Sequence, residues 1–119
     1  MFQGVLKDVV DSADKGVASL VMDLQGITLD HYSKPDAAFD IKTIGIELSV
    51  VVKSVKQAAN MLDAGGAQEV AIVADQLVTL VRMIGDEYFL ALSLEPNANV
   101  GKARYVLRTR APQLETELS

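Results

Sequence analysis

The sequence predicts an α+β domain, a five-stranded antiparallel sheet with helices packed on it in the order α-β-β-α-β-β-β-α. Three observations lead there. Apolar residues recur every three or four positions in three segments: 2–14, 40–62 and from Val100 onward. Between them lie five short runs that are alternating or β-branched, each bounded by turn residues. Finally, 119 residues suffice for one core but not two, so residues 1–115 are read as one domain and 116–119 as a polar tail.

The first helix places Phe2, Leu6, Val9, Val10 and Ala13 on one side, with Lys7, Asp8, Asp11, Ser12 and Asp14 between them, and Gly16 is read as its stop. From Val17 the period becomes two. Ala18, Leu20 and Met22 alternate with Ser19, Val21 and Asp23, and Asp23-Leu24-Gln25-Gly26 turns the chain into a second strand, Ile27–Asp30. Ser33-Lys34-Pro35-Asp36 is turn chemistry. Asp40 can cap a helix running to about Leu62, with Ile41, Ile44, Leu48, Val51, Val55, Ala59 and Leu62 as its stripe and Gly65-Gly66 marking its end. Three strands follow as a meander, 69–74, 77–84 and 88–94, with Tyr88, Leu90, Leu92 and Leu94 sharing a face. After Glu95–Asn99, a closing helix runs from Val100 to about Arg110, with Pro112 beyond it.

Composition narrows the function. The Val, Ile and Leu content is too high for disorder, and no apolar run is long enough to span a bilayer, since Ile44–Val52 contains Glu47. The N-terminus lacks the basic lead and apolar block of a secretory signal, so a cytoplasmic location is expected and membrane insertion is not. The absence of cysteine removes thiolate metal sites and cysteine nucleophiles. A net charge of −5 argues against nucleic acid as a partner.

The inventory for catalysis is thin. His31 has no second histidine nearby and reads as structural or exposed. Asp23 and Asp30 flank the first hairpin, where turn and strand-end roles outweigh a carboxylate pair. Gly101-Lys102 is followed by Ala103, and Pro96 stands where a phosphate loop needs its first glycine. No catalytic residue, cofactor or metal site is therefore expected. Lys102, Arg104, Arg108 and Arg110 form the densest basic cluster, with Arg104 and Arg108 on one side. They serve either the helix C-terminus and solubility or an acidic partner.

Two segments are more apolar than a lone domain requires. Helix 40–62 carries a second set of apolar and small residues, Gly45, Ile46, Ser49, Val50 and Val52, which either meets a partner or packs beneath the terminal helices. The strand Glu69-Val70-Ala71-Ile72-Val73-Ala74 lacks the Lys or Pro that guards an exposed edge. It pairs either across a two-fold axis or on both sides within the chain.

With these pieces in place the chain resembles the roadblock/dynein light-chain family from about Phe2 to Leu114. The resemblance rests on Gly16-Val17, Asp23-Leu24-Gln25-Gly26, Asp40 and Asn99-Val100-Gly101-Lys102-Ala103-Arg104 together with the element order. The small size is most similar to prokaryotic members, including MglB-type regulators of Ras-like GTPases. The resemblance implies a homodimer joined through the third strand, with Val50, Glu69, Val70, Ala71, Ile72 and Val73 at the interface. It also implies a platform of paired central helices, carried here by Lys42, Gly45, Ile46, Ser49, Val52, Lys53 and Lys56, that binds a small GTPase and repositions the GTPase's own catalytic residues. No arginine finger follows from Arg82 or the C-terminal arginines. Some such regulators have a longer C-terminal extension; here the sequence runs to Ser119. The alternative is a non-catalytic light-chain or scaffold subunit of a motor or signalling complex.

Overall fold

The computed structural model describes all 119 residues, Met1–Ser119. Helix α1 (Gln3–Ser12), strands β1 (Gly16–Asp23) and β2 (Thr28–Ser33), helix α2 (Ile41–Met61), strands β3 (Glu69–Val73), β4 (Val78–Ile84) and β5 (Tyr88–Leu94), and helix α3 (Val100–Leu118) follow in the expected order. The strands form one sheet, β2-β1-β5-β4-β3, with every neighbour antiparallel. Strand β1 is thus flanked by β2 and β5, and the two edges are β2 and β3.

Alternation along the strands sorts the side chains into two cores. On one face Val21, Val78, Leu80, Ile84, Leu90, Leu92 and Leu94 meet Leu6, Val9 and Val10 of α1 and Ala103, Val106, Leu107 and Leu114 of α3. On the other, Ala18, Leu20, Met22, Val81, Phe89 and Ala91 meet Ile41, Leu48 and Val52 of α2. Helix α2 is alone on its face, so it does not lie beneath the terminal helices.

Three boundaries differ from the sequence reading, each for a packing reason. Gly16 opens β1 instead of stopping α1, because a Cβ there would run into the Val10 carbonyl oxygen; the turn itself is made by Lys15 at φ 56°. Strand β2 is 28–33 and not 27–30, since His31, Tyr32 and Ser33 pair with Leu20, Ser19 and Ala18 and carry the strand past Asp30. Pro112 does not end the last helix, which runs to Leu118 through the expected tail. Pro removes one backbone donor, while the fully buried Leu114, together with the partly buried Leu118 against the same core, holds the continuation in place.

Helix α1 has no side-chain cap of its own. Asp30 of β2 supplies one, accepting from the Phe2 N–H at 2.8 Å, Gln3 Nε2 at 2.7 Å and the terminal amine at 3.3 Å. Burial works to raise the Asp30 pKa, but hydrogen bonds from Gln3, Phe2, His31 and the amine outweigh it and bring it to about 2. At the other end of α1, Arg110 of α3 donates to Asp8 at 2.6 Å, which holds that carboxyl below its usual range.

Candidate functional site

The residues weighed for catalysis are engaged locally. Asp23 accepts from the Gln25 and Ile27 N–H groups, both at 2.9 Å, and so builds the β1–β2 turn. Asp30 is the cap of α1. His31 lies in β2 opposite Leu20, and its buried Nδ1 has no hydrogen-bond partner. The fold brings these three into no shared constellation, and no group of three or more His, Asp or Glu residues is placed to hold a metal ion.

Helix α2 is capped as expected, with Asp40 accepting from the Lys42 N–H at 3.0 Å. Its buried side is Ile41, Gly45, Leu48, Ser49 and Val52. This splits the seven residues expected to form a platform. Gly45 faces the chain's own sheet: a Cβ there would lie 2.5 Å from Leu20 Cδ2 and 2.7 Å from Met22 Cε. Ser49 is buried, donating to the Ile46 carbonyl at 2.6 Å, and the Gly26 turn comes up to its hydroxyl. Val52 sits in the α2 core. The small residues are thus where β1 and its turn approach the helix, so these three do not share an accessible surface with the other four.

What α2 shows to solvent is Ile46 and Val50, 55% and 54% exposed, one turn apart on its outer side. Lys42 and Lys53 are exposed on one flank, where Lys56 is held by the Asp86 carbonyl at 2.8 Å. At 100° per residue the opposite flank carries Ile44, Val51 and Val55. The expected stripe is therefore divided: Ile41 and Leu48 face the sheet, Ile44, Val51 and Val55 one flank, and Leu62 lies past the helix end, largely exposed.

Strand β3 is an edge, paired to β4 alone, so it is not the interior strand that was one of the two readings. The Met83 N–H donates to the Gln68 carbonyl and the Ala74 N–H to the Leu77 carbonyl, both at 3.0 Å. Even-numbered residues of the segment therefore face β4, and the amides and carbonyls of Glu69, Ala71 and Val73 point away from it. Side chains alternate the other way. Val70 packs on the α2 core, Ile72 shares that face and is still 38% exposed, while Ala71 and Val73 lie on the opposite face, Val73 at 74% exposure. All five β3 residues singled out from the sequence thus line this edge, and Val50 stands on the helix above the same core.

The basic cluster is dispersed. Arg110 turns to Asp8, Arg104 pairs with Glu69 at 3.1 Å, and Arg108 lies over the Tyr105 ring at 5.9 Å. Arg82 reaches Gln68 Oε1 at 3.4 Å and stands in register with Glu69, away from α2. Sequence reasoning missed the Arg104–Glu69 link, since no local signal connects residues 35 positions apart.

No protein-family profile matches the sequence, and no curated protein does. Solved structures do. MglC from Myxococcus xanthus is 32% identical, with 98% of each chain covered and a TM-score of 0.70. A roadblock/LC7 domain from Streptomyces avermitilis is 15% identical over 98% of this chain and 96% of its own, with a TM-score of 0.86. The gliding protein MglB from Thermus thermophilus is 18% identical over 95% and 84%, with a TM-score of 0.85. The last two share the fold; the first, by its identity over almost the whole length, establishes kinship, and this chain belongs to the MglB-like roadblock family.

Proposed function

We propose that this protein is a cytoplasmic, homodimeric regulator of a Ras-like small GTPase. The supporting observation is the coincidence of a bare β3 edge with an apolar outer side on α2, next to lysines. Antiparallel pairing of two β3 strands about Ala71 sets Ala71 against Ala71 and Glu69 against Val73, giving partners to the outward amides and carbonyls. It brings Val70 and Ile72 of each copy together beneath the α2 helices. The platform narrows to Lys42, Ile46, Lys53 and Lys56, because Gly45, Ser49 and Val52 are turned to the sheet, and Val50, expected at the dimer interface, stands one turn from Ile46 on the same outer side.

Such a platform acts by contact and has no active site of its own. Arg82 lies on the opposite side of the sheet, so the rate effect comes from ordering groups that the GTPase already carries.

The test is single-turnover GTP hydrolysis by a Ras-like GTPase from the same genome, with and without this protein. The expected result is acceleration on the order of 100-fold, the worth of one correctly placed catalytic group, lost in Ile46→Lys. Complex formation that leaves turnover unchanged instead identifies a light-chain or scaffold subunit.

A further inference from the structure

The recesses of the surface differ in chemistry. Those beside the β4–β5 turn carry carboxylates and no lysine or arginine: Asp86, Glu87 and Glu115 around one, Asp23, Asp86 and Glu87 around another. At the opposite end of the sheet, where β1 and β4 begin and β5 stops, a recess of about 330 Å³ lies at the β2–α2 connection and holds both signs of charge together with an apolar floor.

Val17, Phe39 and Leu77 are the large apolar residues of that recess. Each is half-buried, and Val17 and Phe39 pack on the α2 core, so the floor is fixed to the interior of the domain and still keeps apolar surface in water. The connection beside it is tied to the sheet. The Lys34 N–H donates to the Val17 carbonyl and the Ala37 N–H to the Lys34 carbonyl, both at 3.0 Å. Lys34, Asp36 and Glu95 supply the charge. None of these three side chains belongs to an ion pair, so the ammonium and the two carboxylates line one recess while standing more than 4.0 Å apart. A molecule that engages both signs there carries a carboxylate and an ammonium of its own, and the floor calls for an alkyl or aryl body. The volume is at the small end of the range for ligand sites, roughly 300–1,000 Å³. We infer that this recess binds a free α-amino acid with a large apolar side chain, its carboxylate on Lys34, its ammonium on Asp36 or Glu95, and its side chain against Phe39 and Leu77. Covering the floor supplies the affinity, while the charges, which act close to water, supply the selectivity. Such binding requires neither the dimer nor the GTPase.

The probes are L-leucine and L-phenylalanine, titrated into the isotope-labelled full chain and followed by its amide chemical shifts. Saturable shifts centred on Val17, Leu77, Glu95 and residues 34–39 are expected, with a Kd on the order of 1 mM, as suits a small ligand in an open recess. Glycine, which has no side chain to cover the floor, is expected not to bind. N-acetyl-leucine and leucinamide each lack one charge and are expected to bind about fivefold more weakly than leucine. Lys34→Gln keeps the main-chain hydrogen bond to Val17, its fold is read from the same spectra, and it is expected to lose about fivefold for leucine and nothing further for leucinamide. The absence of shifts at concentrations about tenfold above that Kd overturns the site, and so do shifts centred elsewhere. Glycine binding as well as leucine removes the floor from the assignment and overturns it. Equal binding of leucine, N-acetyl-leucine and leucinamide, or undiminished binding of leucine by Lys34→Gln, overturns the recognition of the two charges. The titration involves no GTPase and no turnover, so each of these failures leaves the regulator reading standing.

Discussion

At the β2 edge of the sheet the outward amide and carbonyl of His31 are occupied by the protein's own side chains, whereas at the β3 edge the outward groups are bare. The His31 N–H donates to Asp30 Oδ1 at 2.9 Å, and the His31 carbonyl accepts from Gln3 Nε2 at 2.5 Å. Lys34 and Pro35 follow directly, residues that discourage a further strand. Strand β3 has Glu69, Ala71 and Val73 at the corresponding outward positions, with nothing in the chain reaching their amides or carbonyls. The two edges share one sheet and one backbone geometry, so the difference lies in the adjacent side chains. An edge beside Asp, Gln and Pro is finished, and one beside Ala and Val remains able to pair.

The most severe way to break this contrast is Ala71→Pro. It deletes an outward donor without touching the ladder to β4, so the chain is expected to stay folded and lose self-association by about 3 kcal/mol, roughly 100-fold; sedimentation at a series of concentrations checks it. Gly45→Val acts between the edges. The added carbons meet the buried ends of Leu20 and Met22, and a loss of about 2 kcal/mol in urea unfolding is expected, with assembly unaffected once folded. The smallest effect is opening the closed edge. Asp30→Ala frees the His31 N–H and the start of α1, at about 1 kcal/mol. Because the folded-state pKa of Asp30 is lowered to about 2, its contribution is complete above its ordinary value near 4 and fades as pH falls toward 2. The acid unfolding of wild type and Asp30→Ala should converge over that interval.

Much of this was legible in the sequence because the signals were local. The Asp40 cap, the Asp23 turn and the period-two runs each state their role within a few residues. The orientation of α2 was not legible. Its large apolar residues advertise a stripe through Ile44 and Val51, but Leu20 and Met22 rise from β1 and leave no room for a Cβ at Gly45, so the buried side runs through Ile41, Gly45, Leu48, Ser49 and Val52. The end of α3 was hidden for a similar reason: the weight of a buried Leu114 is a property of the core, which Pro112 by itself does not disclose. Of the proposed interaction surface, the apolar character of β3 could be read directly, whereas its place at the edge depends on β1 pairing with β5, a contact between residues some 70 positions apart.

The borrowed cap of α1 bears on the order in which the molecule assembles. A helix of ten residues with neither a capping side chain nor an acidic first turn is weak in isolation, and the carboxylate that completes it comes from 28 residues downstream in β2. Helix α1 is thus completed only once the β1–β2 hairpin exists. Its helicity is therefore expected to depend on the sheet, and substitutions in α1 are expected to give low φ-values in folding kinetics.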